Sequence, residues 1–502
     1  MEAKLGFNGY TGYKKVFEKR AAQTETQDCV VPDSLPDIAS IVYTSGSVLI
    51  RSKDVAEGHV RMEANIPARV SFYGEEEGRL CCLDVNVPFY ISAEDPAIRD
   101  GSVCTAELSL RRLETRILNP RKVSVRAEVE VGIECFAEEA TEFATAPADE
   151  SDSIHVLERE AELTSICCVT EKTFVLTDEF DLPADRNGAS EILGQSADVV
   201  VQELRDLGTK LILRGSVRST LLLRGEDDEL RTASFSTAFS QIVETQSELD
   251  ETLCEARMLT SGMYYELTPG TDGRGVTMEL HLVAQALVYA RRSVRYLADA
   301  YSNGFALTLQ RQPRDLILYG REVLLRESFS AQLDTAGEPE AVIACSIVPV
   351  SWSCEGCEIM LQLLARSCWR GGGAVFCGER MLTHRLKADV ESDAVKLCGV
   401  SVTDVNAVPG NGGIEVRIAL ELRGFTVRRT QLDCISAIEY DAEAPLETDD
   451  QPTLVILRPG PDASLWTLAK ENCSTVEAIC AANGLAEEEL THDSFLLIPK
   501  TL

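Results

Sequence analysis

Basic residues are scarce in this chain. Its 502 residues carry 48 Lys plus Arg against 81 Asp plus Glu, a formal net charge of -33. A surplus of that sign repels phosphate backbones and anionic lipid headgroups, which argues against nucleic acid and direct membrane adsorption as partners. Long apolar runs are missing too: no stretch approaches the roughly 20 residues of a membrane-spanning helix. The opening "MEAKLGFNGYTGYKKVFEKR" has no apolar core of the kind a secretory signal needs, so a cytoplasmic location without membrane insertion is expected.

Recognisable catalytic signatures are equally absent. The chain has no G-x-x-x-x-G-K-[ST], no G-x-S-x-G and no H-E-x-x-H. "WRGGGAVFCGER" is glycine-rich but lacks the Lys-Ser/Thr of a phosphate loop and reads as a strand-edge turn. The five histidines, His59, His155, His281, His384 and His492, are too dispersed for a cluster. Carboxylate pairs are so abundant that no single pair marks a glycosidase site. A non-enzymatic protein without a cofactor is expected.

Seventeen cysteines are present, an odd number without framework spacing, and they read as small buried thiols rather than a disulfide scheme. The pair Cys354 and Cys357, followed by Cys368 and Cys377, has one knuckle spacing where a zinc site needs two converging pairs. A turn that happens to carry cysteines is the preferred reading over a metal or redox site.

What the chain does contain is repetition. Strict apolar alternation after a Pro/Gly/Asn turn occurs three times. It places Val123, Val125, Ala127, Val129 and Val131 on one face, then Val276, Met278, Leu280, Leu282 and Ala284, then Ile414, Val416, Ile418, Leu420 and Leu422. Period-two alternation means a sheet with one buried face, and the preceding turns make each run the second arm of a hairpin. An earlier hairpin also recurs, as "ARVSFYGEEEGRLCC", "STLLLRGEDDELRTA" and "VPVSWSCEGCEIMLQ". The spacing is that of whole domains, so three copies of one mostly β domain are expected. "SFSTAFSQIVETQSELDETLCEA" is the best helix-period stretch.

The expected boundaries are an N-terminal extension over 1–25, β repeats over 26–136, 154–302 and 303–438, acidic linkers over 137–153 and 439–451, and a terminal module over 452–502. The linkers are read from low hydrophobicity and excess acid. In the module, "TLVILRPG" is a strand into a turn, and Ser464 can cap a helix carrying Leu465, Leu468 and Ala469. Ser474 and Glu477 have capping-box spacing before a second helix, Gly484 is its natural stop, and "FLLIP" returns as a strand.

This β-α-α-β plan, with "RPG", "SLWTLAK", "STVEAICAANGL" and "LLIP" in order, resembles a LysM module. The opening "VVPDSLPDIASIVYTSGSVLI", echoed by "DLPADRNGASEILGQSADVVV", resembles SPOCS domains of endospore-forming Firmicutes. Together the chain is similar to the SPOCS-plus-LysM spore-coat morphogenetic proteins of clostridial spore formers. The resemblance implies three SPOCS-like β domains followed by a βααβ LysM domain, acting as a mother-cell scaffold recruited to the forespore surface. It implies docking of the LysM onto the coat ATPase SpoIVA, with further coat proteins and self-association as other contacts.

LysM modules bind N-acetylglucosamine polymers, so peptidoglycan binding at the spore envelope is the alternative. Here Pro461 and Ala463 expand the first loop and "THDSF" replaces the usual Pro-Gly-Gln, which favours a protein partner. The residues expected to meet that partner are Leu454, Ile456, Asp462, Ser464, Trp466 and Asn483. Trp466 is equally suited to a place in the core.

Overall fold

Every apolar position of the three alternating runs is buried, and each run is the middle strand of a three-stranded ladder. The computed structural model describes residues 2–75, 80–147, 154–182, 188–226, 229–245, 251–270, 272–335, 337–446, 452–461, 463–485 and 495–501. The chain is mostly β, as expected, with 80% strand and 3% helix.

Three six-strand-position units follow one another. The first comprises β1 (Leu5–Val30), β2 (Ile38–Gly46), β3 (Leu49–Ala56), β4 (His59–Gly74), β5 (Leu80–Glu94), β6 (Val103–Asn119) and β7 (Lys122–Pro147), with β2 and β3 sharing one position beside β4. The second is β8 (Ile154–Asp181), β9 (Ala189–Asp206), β10 (Lys210–Gly225), β11 (Leu230–Glu244), β12 (Thr252–Leu267) and β13 (Gly275–Ser302). The third is β14 (Phe305–Asp334), β15 (Ala341–Glu355), β16 (Glu358–Gly371), β17 (Ala374–Lys387), β18 (Ala394–Gly410) and β19 (Gly413–Pro445).

In each unit the last strand pairs with the first and the fifth, while strands two to four form a separate sheet. Side chains from the two sheets share one core: Val60 to Phe72 with Val123 to Ile133, Leu211 to Leu223 with Val276 to Ala286, and Ile359 to Ala365 with Ile414 to Leu422. Each unit is therefore a small antiparallel sandwich.

The first and last strands run on past their sandwich, and here the linker and extension readings are corrected. Residues 5–25 belong to β1, which pairs with β7 from Leu5 to Val30, so most of the expected extension is sheet. Residues 137–147 and 439–445 continue β7 and β19. Acid content did not prevent this because Phe143 and Ala144 turn inward while Glu138, Glu139 and Glu142 stay outside, Glu139 meeting Lys14 at 3.5 Å. The overhanging ribbons of all three units pack together. Phe143, Tyr296 and Cys434, at matching distances from Val123, Val276 and Ile414, share one cluster, and their successors Ala144, Leu297 and Ile435 share the next.

Three smaller expectations also change. In the helix-period stretch, residues 234–244 belong to β11 and 252–256 to β12, because both pair with neighbours inside the second sandwich, and residues 246–250 lie outside the described residues. The hairpin matched at Cys354–Cys357 is one hairpin early: it joins β15 to β16, whereas the equivalents at Gly74 and Gly225 join the third and fourth strands. In the third unit that turn is "RGGGA", where Gly372 and Gly373 take φ of 57° and 77°, which favours glycine. Finally, Cys104–Cys135 and Cys368–Cys377 are disulfides rather than thiols, since the antiparallel registers set each pair directly opposite, with Cα atoms 4.2 and 4.1 Å apart. Cys354 and Cys357 pack at the margin of the third core, apart from that pair.

Charge fixes the units to one another. Glu255, 1% exposed on β12, receives Lys396 of the third unit at 2.6 Å and the Tyr289 hydroxyl at 2.7 Å. Arg257 binds Glu255 at 2.8 Å and reaches the first unit at Glu134 (2.5 Å) and Glu107 (3.3 Å). Gln285, fully buried, meets the first unit's backbone on both sides of its amide, accepting from Ala106 N at 2.7 Å and donating to Ala106 O at 2.9 Å.

Burial pushes the Glu255 carboxyl up, but the charges of Lys396 and Arg257 overcome it and bring it down to about 2. A depressed carboxylate stabilises the fold fully above its unfolded value of about 4.3, and that contribution falls away as the pH drops towards the folded value. Glu255→Ala should cost about 3–5 kcal/mol at neutral pH, because Lys396 and Arg257 lose a buried counter-charge. Urea unfolding of both proteins at pH 7 and pH 3 checks this: the gap should narrow at the lower pH. An equal gap at both would show that lost packing, not charge, is responsible.

Candidate functional site

The C-terminal module is built from β20 (Leu454–Leu457), α1 (Leu465–Glu471), α2 (Val476–Asn483) and β21 (Leu496–Pro499). Ser464 caps α1: its hydroxyl accepts from Thr467 N at 3.1 Å, and the Thr467 hydroxyl accepts from Ser464 N at 2.9 Å. The cap of α2 is Thr475 rather than Ser474, its hydroxyl accepting from Ala478 N at 3.0 Å. Ser474 is displaced from that role because it is buried and donates to Pro499 O at 2.6 Å. Gly484 ends α2 with φ of 65°, as expected.

The expected contact residues separate into distinct jobs. Asn483 is a staple: its amide donates to Ile479 O at 2.8 Å and Leu497 O at 2.6 Å, and accepts from Leu497 N at 2.8 Å. Ser464 is committed to the cap. Leu454 and Ile456 lie on the outer face of the two-stranded sheet, 47% and 60% exposed, while Val455 and Leu457 face the module's core. Asp462 lies outside the described residues, as do residues 491–494 of the second loop.

Trp466 is half-buried and turned against the body of the protein. Its ring meets Tyr301 edge-on at 4.8 Å, and its Nε1 donates to Asp299 Oδ2 at 2.9 Å. Asp299 also accepts from Lys470 at 2.7 and 2.8 Å and from Arg311 at 3.1 Å. The Tyr301 hydroxyl and the Asn303 amide both donate to Ser474 O, at 3.0 and 3.2 Å, and Asn303 reaches Thr501 at 3.0 Å. One end of β13 and the turn after it thus grip the start of each helix.

Sequence reasoning did not reach Asp299, Tyr301 or Asn303, because their role exists only once the ribbon ends meet the module. It also passed over Phe495 and Leu497. These are 74% and 36% exposed, and with Leu454 and Ile456 they complete an apolar outer face, Ile456 lying opposite Leu497 in register. Contiguous exposed apolar side chains of this kind mark interaction surfaces more often than scattered single ones do. Among the described residues, no group of three or more His, Cys, Asp and Glu side chains is arranged to hold a metal ion, and no helix is long and apolar enough to cross a membrane.

Burial pushes the Asp299 carboxyl up, while Lys470 and Trp466 hold it, on balance, below its ordinary value. The grip is therefore complete at neutral pH and weakens as the pH falls through the carboxylate range. Asp299→Ala should raise amide exchange in α1 relative to wild type and leave β16 unchanged. Unaltered α1 exchange would mean that the Tyr301 and Asn303 bonds hold the module without Asp299. No family model, no curated protein and no solved structure matches the chain.

Proposed function

We propose that the chain is a non-enzymatic scaffold of spore-coat assembly, made of three SPOCS-like sandwiches and a LysM-like module that docks a coat-assembling ATPase. The observation that carries this reading is the apolar outer face of the module, Leu454, Ile456, Phe495 and Leu497. Its opposite side is taken up by the protein's own Tyr301 and Asp299. A module gripped on one side and apolar on the other is suited to present a fixed patch to a protein. Aliphatic and aromatic anchors supply most of the energy of such contacts.

Glycan binding is disfavoured in this proposal because the LysM tryptophan packs on the body and its indole nitrogen is already bonded. Within the proposal the protein works in the mother-cell cytoplasm at the forespore surface. The acidic charge of -33 suits a basic partner.

Binding of the full chain to the coat ATPase of its own organism, and separately to purified peptidoglycan, tests the reading. Ile456→Asp should weaken ATPase binding by about 30-fold, the size of a 2 kcal/mol hot spot. Peptidoglycan binding without ATPase binding would transfer the assignment to the glycan alternative. Absence of both would remove the docking role.

A further inference from the structure

A groove of about 440 Å³ lies where the first sandwich meets the second, far in sequence from the C-terminal module. Its volume is within the range of small-ligand sites, roughly 300–1,000 Å³. The outer face of β4 and β5, with Arg51 of β3, contributes Asn65, Arg69, Asp84 and Asn86. The second sandwich contributes Ile192, Gly194 and Gln195 of β9 and Met263 to Glu266 of β12.

The polar groups are held in place before any ligand arrives. Asn65 is 6% exposed and accepts from Arg51 Nε at 2.7 Å while donating to Asn86 Oδ1 at 2.7 Å. Arg69 and Asp84 form a two-point pair at 2.7 and 3.0 Å. Arg69 also donates to Ile192 O at 2.6 Å, which ties the floor of the groove to its wall. Gln195 donates to Met263 O at 3.4 Å. Arg69 spends Nε and Nη2 on Asp84 and Nη1 on Ile192 O, and both Asp84 oxygens are engaged, whereas Arg51, Asn86 and Gln195 keep further donor and acceptor capacity.

The balance of charge selects the ligand class. Arg51 and Arg69 are matched by Asp84 and Glu266, so the lining has no net pull on an anion or a cation. Asp84 is already engaged by Arg69, which leaves no converging carboxylates for a metal. Leu49, Pro67, Ala68, Val85 and Ile192 line the groove beside these polar groups, and a wholly apolar guest would take water from Arg51 and Asn86 without replacing its hydrogen bonds. Tyr264, 52% exposed, is also a lining residue, its ring meeting His281 edge-on at 5.7 Å, while the Met263 side chain on the other face is buried in the second core.

A neutral molecule with many hydroxyls and an apolar ring face answers all three constraints: planar side chains bond adjacent hydroxyls in pairs, and a tyrosine ring packs on C–H bonds. We propose that this groove is a binding site for a neutral mono- or disaccharide. The site belongs to the sandwiches, not to the module, and stands whether or not the module docks a protein.

The test is saturation-transfer NMR on the full chain with glucose, N-acetylglucosamine and cellobiose as separate probes. Transfer to the ring protons of at least one is expected. Asn86→Leu and Arg51→Met, both at exposed positions, should each weaken it by about tenfold, the loss of one or two hydrogen bonds, while circular dichroism at the assay temperature shows both variants folded. The Ile456→Asp variant should bind as wild type does. No transfer from any of the three probes would overturn the proposal. So would transfer that survives both groove variants, which would place the sugar elsewhere on the chain.

Discussion

A carboxylate that is 1% exposed keeps its charge only if cations come to it, and those that meet Glu255 belong to different parts of the chain. Lys396 arrives from the third sandwich, Arg257 from the same strand, and Arg257 carries the link onward to Glu107 and Glu134 of the first. Lys396 also lies over the rings of Tyr289 and Tyr319, at 4.4 and 5.4 Å, where the aromatic faces favour a cation. Apolar contacts between similar sandwiches are tolerant of sliding and of order. Buried charges are not, because any other arrangement leaves one of them unpaired.

The signs are distributed so that order matters. At this junction the first sandwich contributes the carboxylates Glu107 and Glu134, the third contributes the cation Lys396, and the middle one contributes Glu255 and Arg257. Two copies of the first set would oppose carboxylate to carboxylate. A chain that repeats one domain three times risks pairing the wrong copies during folding. Complementary charge at one node separates the correct neighbour from its look-alike.

What was legible in the sequence was whatever a single strand or helix decides for itself. Val123, Val276 and Ile414 announced the buried faces, since alternation is a property of one strand, and Leu465, Leu468 and Ala469 announced α1 in the same way. What was not legible depended on partners far along the chain. Residues 137–147 look like an acidic linker because their ladder partner is β1 and their inward residues meet the other two units. Strands in globular proteins usually run to about 5 or 6 residues, so 26 to 33 residues of continuous pairing was not the natural expectation. At the candidate site, Leu454 and Ile456 could be read from alternation, whereas the inward turn of Trp466 could not, because it needs Asp299 and Tyr301.

The overhanging ribbons also determine how the module is held. Asp299 and Tyr301 stand near the end of β13, in the stretch whose neighbours Leu297 and Ala300 pack with Ala144 of the first unit and Ile435 and Ile438 of the third. Arg311 of β14 closes on Asp299 from the third unit while Trp466 and Lys470 close on it from the module. A shift of any one sandwich would therefore be felt at Asp299 through packed side chains rather than through a flexible tether. The outer face of the module is held in register with the bundle that joins all three sandwiches. A partner seated on that face would meet a surface whose orientation is set by the whole body.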